Sequence, residues 1–406
     1  MNVLLVGSGG REHALAWRLS TSPMLGQLHA APGNPGVAEL GDCHPVRAED
    51  VEGLVELARA LDADLVVVGP EAPLVTGLAD ELRHAGIPVF GPSAAAARIE
   101  GSKSFAKEVM AAAGVPTAQT LPVARPPCVL KADGLAAGKG VFVCRSHDEL
   151  DAGLRALRQF GGTIVIEEML EGEEISIFAV CDGSTALPLP SVQDYKRALD
   201  GDRGPNTGGM GAFSPVPGFG AAEVEELVDA IHVPVLEELA RRRTPFVGAL
   251  FAGLMLTAEG PRVLEFNARF GDPEMEALAP RLADDLLEVL AAAAAGDLSG
   301  ATLDAAPEAA VTVVVASGDY PERGDAGTPI YGLAEAAEAG ALVFHAGTAL
   351  REGGLVTNGG RILDVTGVGP TVPAARAAAY DALGKISSAG MRYRSDIAAV
   401  AAGVGA

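Results

Sequence analysis

Lys131 stands inside the apolar run Val129-Leu130-Lys131-Ala132, and Asp133-Gly134-Leu135-Ala136-Ala137-Gly138-Lys139-Gly140-Val141 follows it. An unpaired ammonium is costly inside an apolar strand, and a phosphate is its natural partner. Strand-like residues flank the glycines on both sides, so the segment reads as a hairpin. Such a hairpin can fold over a polyphosphate and offer it backbone N–H groups. The P-loop pattern G-x-x-x-x-G-K-[ST] does not fit, because three residues separate Gly134 from Gly138 and Gly140 follows Lys139 where a hydroxyl is needed. The alternative is a plain hairpin with a snorkelling lysine.

Glu265-Phe266-Asn267-Ala268-Arg269 continues a second strand-like run. Alternation puts Glu265, Asn267 and Arg269 on one face. A carboxylate and an amide oxygen two residues apart are hard ligands suited to a magnesium-type cation held between protein and phosphates. Arg269 would then stabilise charge on a transferring phosphoryl group. An ion-paired sheet face is the alternative.

A third segment, Gly7-Ser8-Gly9-Gly10-Arg11-Glu12-His13, follows a strand and opens a helix. Free N–H groups at such a helix start favour an anion, and a phosphate ester is expected there. The dinucleotide fingerprint is broken by Glu12 where its third glycine should stand, and Ala31-Pro32-Gly33-Asn34 supplies no ribose-binding acid. A nicotinamide dehydrogenase is therefore disfavoured. A tight turn using glycine only for its backbone freedom is the other reading.

The elements that must position these groups follow from the pattern. Residues 3–6, 65–68 and 87–90 are short apolar runs ending in glycine turns, with helices between them, which predicts a parallel α/β sheet with ligands at its carboxyl edge. Ser102 should cap a helix over 103–113, closed by Gly114. Short strands are expected near 129–132, 141–144, 163–167 and 175–180, an irregular glycine-rich stretch over 200–214, and a helix over 222–242 that Pro234 kinks or interrupts. Residues 253–256 and 263–267 read as paired strands, 298–308 as a linker, and the remainder as a small mixed unit with strands near 311–316, 342–345 and 361–366.

The chain has 406 residues and a formal net charge of −23, which disfavours a nucleic-acid partner while leaving room for small phosphorylated ligands at local cationic clusters. No apolar run is long enough for a membrane span, and the start lacks the basic and apolar pattern of a secretory signal. Cys43, Cys128, Cys144 and Cys181 are scattered without a C-x-x-C pair, so a reducing, cytoplasmic setting is expected.

Taken together these segments resemble the phosphoribosylamine–glycine ligase family of the ATP-grasp superfamily. The resemblance runs the length of the chain through Gly9-Gly10-Arg11-Glu12-His13-Ala14, Pro32-Gly33-Asn34, Gly69-Pro70-Glu71, Glu100-Gly101-Ser102-Lys103, the Lys131–Gly140 hairpin, Gln193-Asp194, Gly204-Pro205-Asn206-Thr207-Gly208-Gly209-Met210-Gly211, Glu265-Phe266-Asn267, Arg269-Phe270-Gly271-Asp272-Pro273-Glu274 and Thr357-Asn358-Gly359-Gly360-Arg361. It implies an α/β (α+β overall) ATP-grasp fold: a parallel α/β substrate-binding domain over 1–100, an ATP-grasp domain over 101–300 with a lid at about 119–178, and a mixed α/β domain over 301–406. It implies ATP-dependent ligation of glycine to 5-phosphoribosylamine in purine biosynthesis, through a glycyl phosphate, with Mg²⁺ or Mn²⁺. Lys103, Lys131, Gly134, Gly138, Lys139 and Gly140 should bind ATP phosphates, Glu167, Glu168 and Leu170 the adenine, and Glu174 the ribose. Glu265 and Asn267 should hold the metal, with Arg269, Lys131 and Asp194 catalytic. Gly10, Glu12, His13, Asn34, Glu71, Asp194, Lys196, Arg269, Gly271 and Asp272 should surround the amine and glycine. Lys107 is expected to be a solvated surface lysine, and His13 a hydrogen-bonding group rather than a base. The stretches 121–129 and 151–163 are short, so a small lid is expected. A monomer is expected, with room for transient contact with neighbouring pathway enzymes.

Overall fold

A computed structural model describes residues 1–136 and 139–404. The first sheet is parallel throughout, in the order β3-β2-β1-β4-β5: β1 Asn2–Gly7, β2 Gln27–Pro32, β3 Asp42–Cys43, β4 Leu65–Val68 and β5 Val89–Phe90. Helices α1 Gly10–Ser20, α2 Val51–Ala60, α3 Glu71–Val75 and α4 Leu78–His84 connect these strands, and α5 Ala94–Gly101 and α6 Lys103–Ala113 lead out of the sheet. Ser102 caps α6 through its Oγ, and Gly114 closes it in the left-handed conformation, as its pattern predicts.

A small three-stranded sheet, β7-β6-β8, follows: β6 Cys128–Ala132, β7 Val141–Cys144 and β8 Ile164–Glu168, backed by α7 His147–Leu157. The β6–β7 hairpin is antiparallel and carries the second glycine loop. Cys128 and Cys144, distant in sequence, are cross-strand partners here, both buried and both free thiols.

The central sheet is antiparallel, β10-β9-β15-β16, from β9 Glu173–Asp182, β10 Ala186–Pro188, β15 Val247–Thr257 and β16 Gly260–Asn267. Its two faces explain its union with the first sheet. Leu4, Val6, Val66 and Val68 share one core with Ile175, Ile177 and Ala179, while Val3, Leu5, Leu65 and Val67 share another with Phe178 and Val180. Period-two alternation along each strand feeds the same two cores, so the sheets pack as one body.

The stretch 200–214, expected to be irregular, instead contributes β13 Arg203–Asn206, paired with β12 Arg197–Leu199, and β14 Gly211–Ser214. With β11 Gln193–Asp194, β14 joins β17 Ala309–Ala316, β22 Arg361–Gly369 and β19 Leu342–His345 in the order β11-β14-β17-β22-β19. The sheet built mainly from the last hundred residues thus borrows its edge from far upstream. Helix α8, Ala221–Arg241, runs across Pro234 without the interruption that was one of the expected outcomes there. Burial of Val228, Ile231, Val235, Leu236 and Leu239 on its face outweighs an interior proline's cost of about 3 kcal/mol.

Helices α9 Glu274–Leu278 and α10 Leu286–Ala295 precede the coil at 298–308. The remaining elements are β18 Asp325–Tyr331, α11 Leu333–Glu338, β20 Thr348–Arg351, β21 Gly354–Gly359, α12 Val372–Leu383 and β23 Ser387–Ser388, with a further four-stranded sheet ordered β20-β21-β18-β23. No described helix is long and apolar enough to cross a membrane.

Candidate active site

The glycine hairpin is anchored at its base. Asp133 accepts from Ser102 Oγ, Ser104 N and Ser104 Oγ, which ties the loop to the first turn of α6. Gly134 adopts φ +150°, and a Cβ on Gly140 would collide with Ala136 across the turn. Lys139 is exposed. Gly138 lies outside the described residues.

Lys131 points from β6 to the central sheet, where its Nζ donates to the Leu264 carbonyl at 2.8 Å. A register shift in the β15–β16 ladder leaves Leu264 as the extra residue and frees that carbonyl. Lys131 is not the unpaired ammonium its sequence context suggested, for Glu167 Oε2 lies 2.7 Å away. Glu167 Oε1 lies 2.6 Å from Lys107 Nζ, which also donates to Thr117 Oγ1 and the Ala118 carbonyl. Lys107 is therefore no solvated surface lysine. Burial lowers its pKa, and Glu167 offsets this only in part. Glu167, 2% exposed, presents its side chain to these lysines rather than serving only as backbone at an adenine hinge. Next to it, Glu168 exchanges hydrogen bonds with Gln119, its N–H donating to the carbonyl and its Oε1 accepting from the amide. Leu170 is half-buried beyond them.

Glu265 Oε2 lies 3.2 Å from Lys103 Nζ. Burial opposes the Glu265 charge, but Lys103, Lys131 and Lys196 outweigh it and hold the carboxyl at about 2. An ionised carboxylate at neutral pH is what a cation site requires. Two residues on, Asn267 spends its Nδ2 on the Phe266 carbonyl, which turns the amide oxygen away from that bond. The pair therefore fits a hard divalent cation in donor type and protonation.

Lys196 joins this group to the next. Its Nζ lies 2.6 Å from Glu174 Oε1 and 2.9 Å from Asp194 Oδ1. Burial works against its charge, yet Asp194 and Glu174 raise its pKa well above the usual lysine value. Burial raises the Glu174 pKa, with Lys196 opposing. Glu274 sits within the same field. Burial, with Asp194 adding to it, pushes its carboxyl up to about 7 against the pull of Lys196. A Cβ on Gly271 would collide with the Glu274 carboxylate, so that glycine leaves the space Glu274 fills.

Arg269 leaves β16 toward the first sheet, 3.2 Å from Glu71 Oε2 and 3.5 Å from Glu100 Oε1. Glu71 opens α3, and although burial opposes its charge, Arg269 and Arg11 hold it at about 2. Glu100 also accepts from Ala268 N at 2.7 Å.

At the first glycine loop, Glu12 folds back on its own helix. Its Oε2 accepts from Gly9 N and its Oε1 from Arg11 Nε, both at 2.6 Å. A Cβ on either Gly7 or Gly69 would strike this side chain, so the loops closing β1 and β4 are bare to accommodate it. His13 Nδ1 accepts from His345 N at 2.8 Å, and burial lowers its pKa to about 3, so it is a neutral hydrogen-bonding group. Asn34 is fully engaged, with Nδ2 donating to the carbonyls of Ser8, Gly9 and His345 and Oδ1 accepting from Gly36 and Val37 N–H. Gly10 backs onto Glu276 and Asp364. Asp272 Oδ1 lies 2.9 Å from Arg361 Nη1, whose N–H groups point to the carbonyls of Gly208 and Asp272 rather than along that ion pair.

The fold thus gathers Lys103, Lys131, Glu167, Glu174, Asp194, Lys196, Glu265 and Asn267 along the central sheet, and Gly10, Glu12, His13, Asn34, Glu71, Arg269, Gly271 and Asp272 along the carboxyl edge of the first sheet. Asp133, Glu100, Glu274 and Arg361 are participants that residue patterns did not assign. Each stands within or beside a string quoted above, which was the available signal.

Three family models match in chain order: the phosphoribosylglycinamide synthetase N domain over residues 1–100, its ATP-grasp (A) domain over 101–275 and its C domain over 310–400. A phosphoribosylamine–glycine ligase of Streptomyces coelicolor is 51% identical, covering 99% of this chain and all of that protein. One from Rhizobium meliloti is 50% identical with 98% of each chain covered. Among solved structures, a phosphoribosylamine–glycine ligase of Thermotoga maritima superposes with a TM-score of 0.85 at 34% identity, over 98% of this chain and 100% of that one. The biotin carboxylase domain of Hydrogenobacter thermophilus 2-oxoglutarate carboxylase gives 0.69 at 17% identity, over 96% and 91%, a likeness of fold alone. On these matches, the chain belongs to the phosphoribosylglycinamide synthetase family and has the ATP-grasp fold.

Proposed function

We propose that the chain joins glycine to 5-phosphoribosylamine, forming glycinamide ribonucleotide, ADP and phosphate, and that the residues above divide the work. The observation that carries this is the group Lys103, Lys131 and Glu265, cations and an ionised carboxylate converging beside the glycine hairpin. ATP phosphates lie against Lys103 and Lys131, under the 134–140 hairpin. Adenine lies by Glu167–Leu170, and the ribose hydroxyls by Glu174. Glu265 and Asn267 would hold Mg²⁺ or Mn²⁺, which would screen the phosphate charge when bound.

Glycine's carboxylate attacks the γ-phosphate, ADP leaves, and a glycyl phosphate forms. The amine of phosphoribosylamine then attacks the carbonyl and phosphate leaves. Arg269, held between Glu71 and Glu100 but still partly exposed, stabilises the transferring phosphoryl group. Asp194 and Lys196, with Gly271 and Asp272, flank glycine and the ribosyl ring. Gly10, Glu12, His13, Asn34 and Glu71 shape the phosphate end, mostly by fixing the loops, since Glu12 and Asn34 already have their partners. The protein's contribution is positioning and charge neutralisation.

The same reading takes residues 1–100, 101–300 and 301–406 as working units, and the enzyme as a cytoplasmic monomer. Phosphate release is measured with ATP, Mg²⁺, glycine and freshly made phosphoribosylamine, each omitted in turn. Release should require all four and fail with alanine or aspartate in place of glycine. Glu265→Ala should abolish it and leave the unfolding midpoint within a few degrees. Wild-type turnover in that variant would sink the metal assignment.

A further inference from the structure

Asp272, Glu276 and Asp364 come from three places: the turn before α9, α9 itself, and β22 of the C-terminal sheet. One oxygen from each lies within 4.8 Å of the others, and this is the only such trio of ligating side chains among the described residues. Glu276 and Asp364 are 0% exposed. Both oxygens of each, and Oδ1 of Asp272, have no hydrogen-bond partner among the described residues. The first turn of α1 closes over them, and it can do so because residue 10 is glycine: any Cβ there would collide with both Asp364 and Glu276.

Five orphaned carboxylate oxygens in a closed space are a large cost if left uncompensated. Arg361 supplies one positive charge nearby, 2.9 Å from Asp272 Oδ1, but its N–H groups donate to backbone carbonyls. The two deepest carboxylates need something else. A single proton would satisfy one or two of these oxygens, whereas one cation can touch all three side chains. Oxygens 4.8 Å apart can flank an ion bonded at about 2.4–2.6 Å, within the range of Ca²⁺, whereas the roughly 2.1 Å bonds of a smaller ion such as Mg²⁺ need the carboxylates to draw together to about 4.2 Å. All donors are hard oxygens, with no imidazole or thiolate, so a zinc-type ion is disfavoured.

We infer that Asp272, Glu276 and Asp364 form a second divalent-cation site, independent of nucleotide, which fastens the C-terminal sheet to α9 and the first turn of α1. It is distinct in residues from the pair Glu265 and Asn267, and it does not depend on the catalytic reading above. Asp272 places it next to the segment proposed to meet the ribosyl ring, so ion loss should loosen that end.

The test uses the full chain, stripped with chelator and free of nucleotide, titrated with Mn²⁺ by electron paramagnetic resonance. Wild type should bind about one ion, Asp364→Asn and Glu276→Gln should bind at least tenfold more weakly, and Glu265→Ala should bind as wild type. Mn²⁺ should also raise the wild-type unfolding midpoint, and an anomalous peak should appear between the three carboxylates in wild-type crystals soaked in Mn²⁺, a readout independent of whether either variant folds. No nucleotide-free ion in wild type, or unchanged binding in both variants, overturns the site. A midpoint indifferent to Mn²⁺ but falling from pH 5 to pH 8 would show protonated carboxyls in its place, and overturns it too.

Discussion

Glu167 is bonded to two lysines at once, so removing its charge strands both. Breaking a buried ion pair from one side costs about 3–5 kcal/mol. Glu167→Gln should lower the unfolding midpoint by several degrees, and the double variant Glu167→Gln/Lys107→Met should regain part of the loss, because it leaves one stranded ammonium instead of two. No recovery in thermal unfolding would mean that Thr117 and the Ala118 carbonyl sustain the Lys107 ammonium without Glu167. His13 gives a second residue-scale expectation. Its folded pKa of about 3 lies below the ordinary value of 6.5, so the unfolded chain binds the proton first as pH falls. The stabilising share is whole above about 6.5 and drains away as pH drops toward 3. His13→Asn keeps an acceptor near the Nδ1 position and cannot titrate, so its midpoint should fall less than that of wild type between pH 7.5 and 5. These residues also mark where sequence reading stops. Lys131 was legible as a cation in an apolar strand, but its partner sits 36 positions away on a neighbouring strand, and nothing local announces such a pairing. The hydrogen-bonding role of His13 was legible because a helix start offers few alternatives for an imidazole, whereas its neutral form follows only from its burial.

The small β7-β6-β8 sheet with α7, proposed as the ATP lid, is the element with least to hold it. Its own core comprises six buried residues, Cys128, Leu130, Ala132, Cys144, Leu150 and Leu157, whereas the first and central sheets share two far larger ones. Elements with few buried apolar contacts open at lower free energy. Amides of β6–β8 should therefore exchange with deuterium faster than those of β9 and β15, and by a margin that ATP narrows. Asp133 latches this element to α6, so Asp133→Ala should speed that exchange further and raise the KM for ATP about tenfold with a smaller effect on kcat. A variant whose exchange is unchanged would show that the latch is ornamental. Elements whose signals are local were readable. Strands β1, β4 and β5 of the first sheet announce themselves as apolar runs ending in glycine, and α6 by its cap and terminal glycine. Strand β14 did not, since Gly-Ala-Phe-Ser is a strand only because β17, about a hundred residues downstream, supplies the ladder. Helix α8 was readable from end to end, and the interruption entertained at Pro234 does not occur, its buried face overruling the local penalty.

Across the whole molecule, the end proposed to receive the amine is stitched from three sheets, and Asn34 is the stitch with most threads. It follows β2 of the first sheet, donates to the loop after β1, and reaches the carbonyl of His345 at the end of β19. Whole-chain assembly of this kind was only partly readable, since the string Pro32-Gly33-Asn34 marked the residue as functional but not as a tie between sheets. Asn34→Asp separates the two ideas. The substitution is nearly isosteric, and one oxygen can still accept from Gly36 and Val37. The other would face three carbonyl oxygens where an amide had donated, which is repulsive when ionised. The new carboxyl should therefore take a proton readily, with a folded pKa above its unfolded value. Its contribution is retained at low pH and lost as pH rises through that folded pKa. Asn34→Asp should thus fall further below wild type in unfolding midpoint at pH 7.5 than at pH 5. At pH 7.5 its KM for phosphoribosylamine should rise at least tenfold while the KM for ATP stays within about twofold, because the lid and central sheet do not depend on this contact. Equal changes in both constants would mean that Asn34 supports the enzyme globally, and a gap from wild type that does not vary with pH would mean that its amide is not what faces those carbonyls.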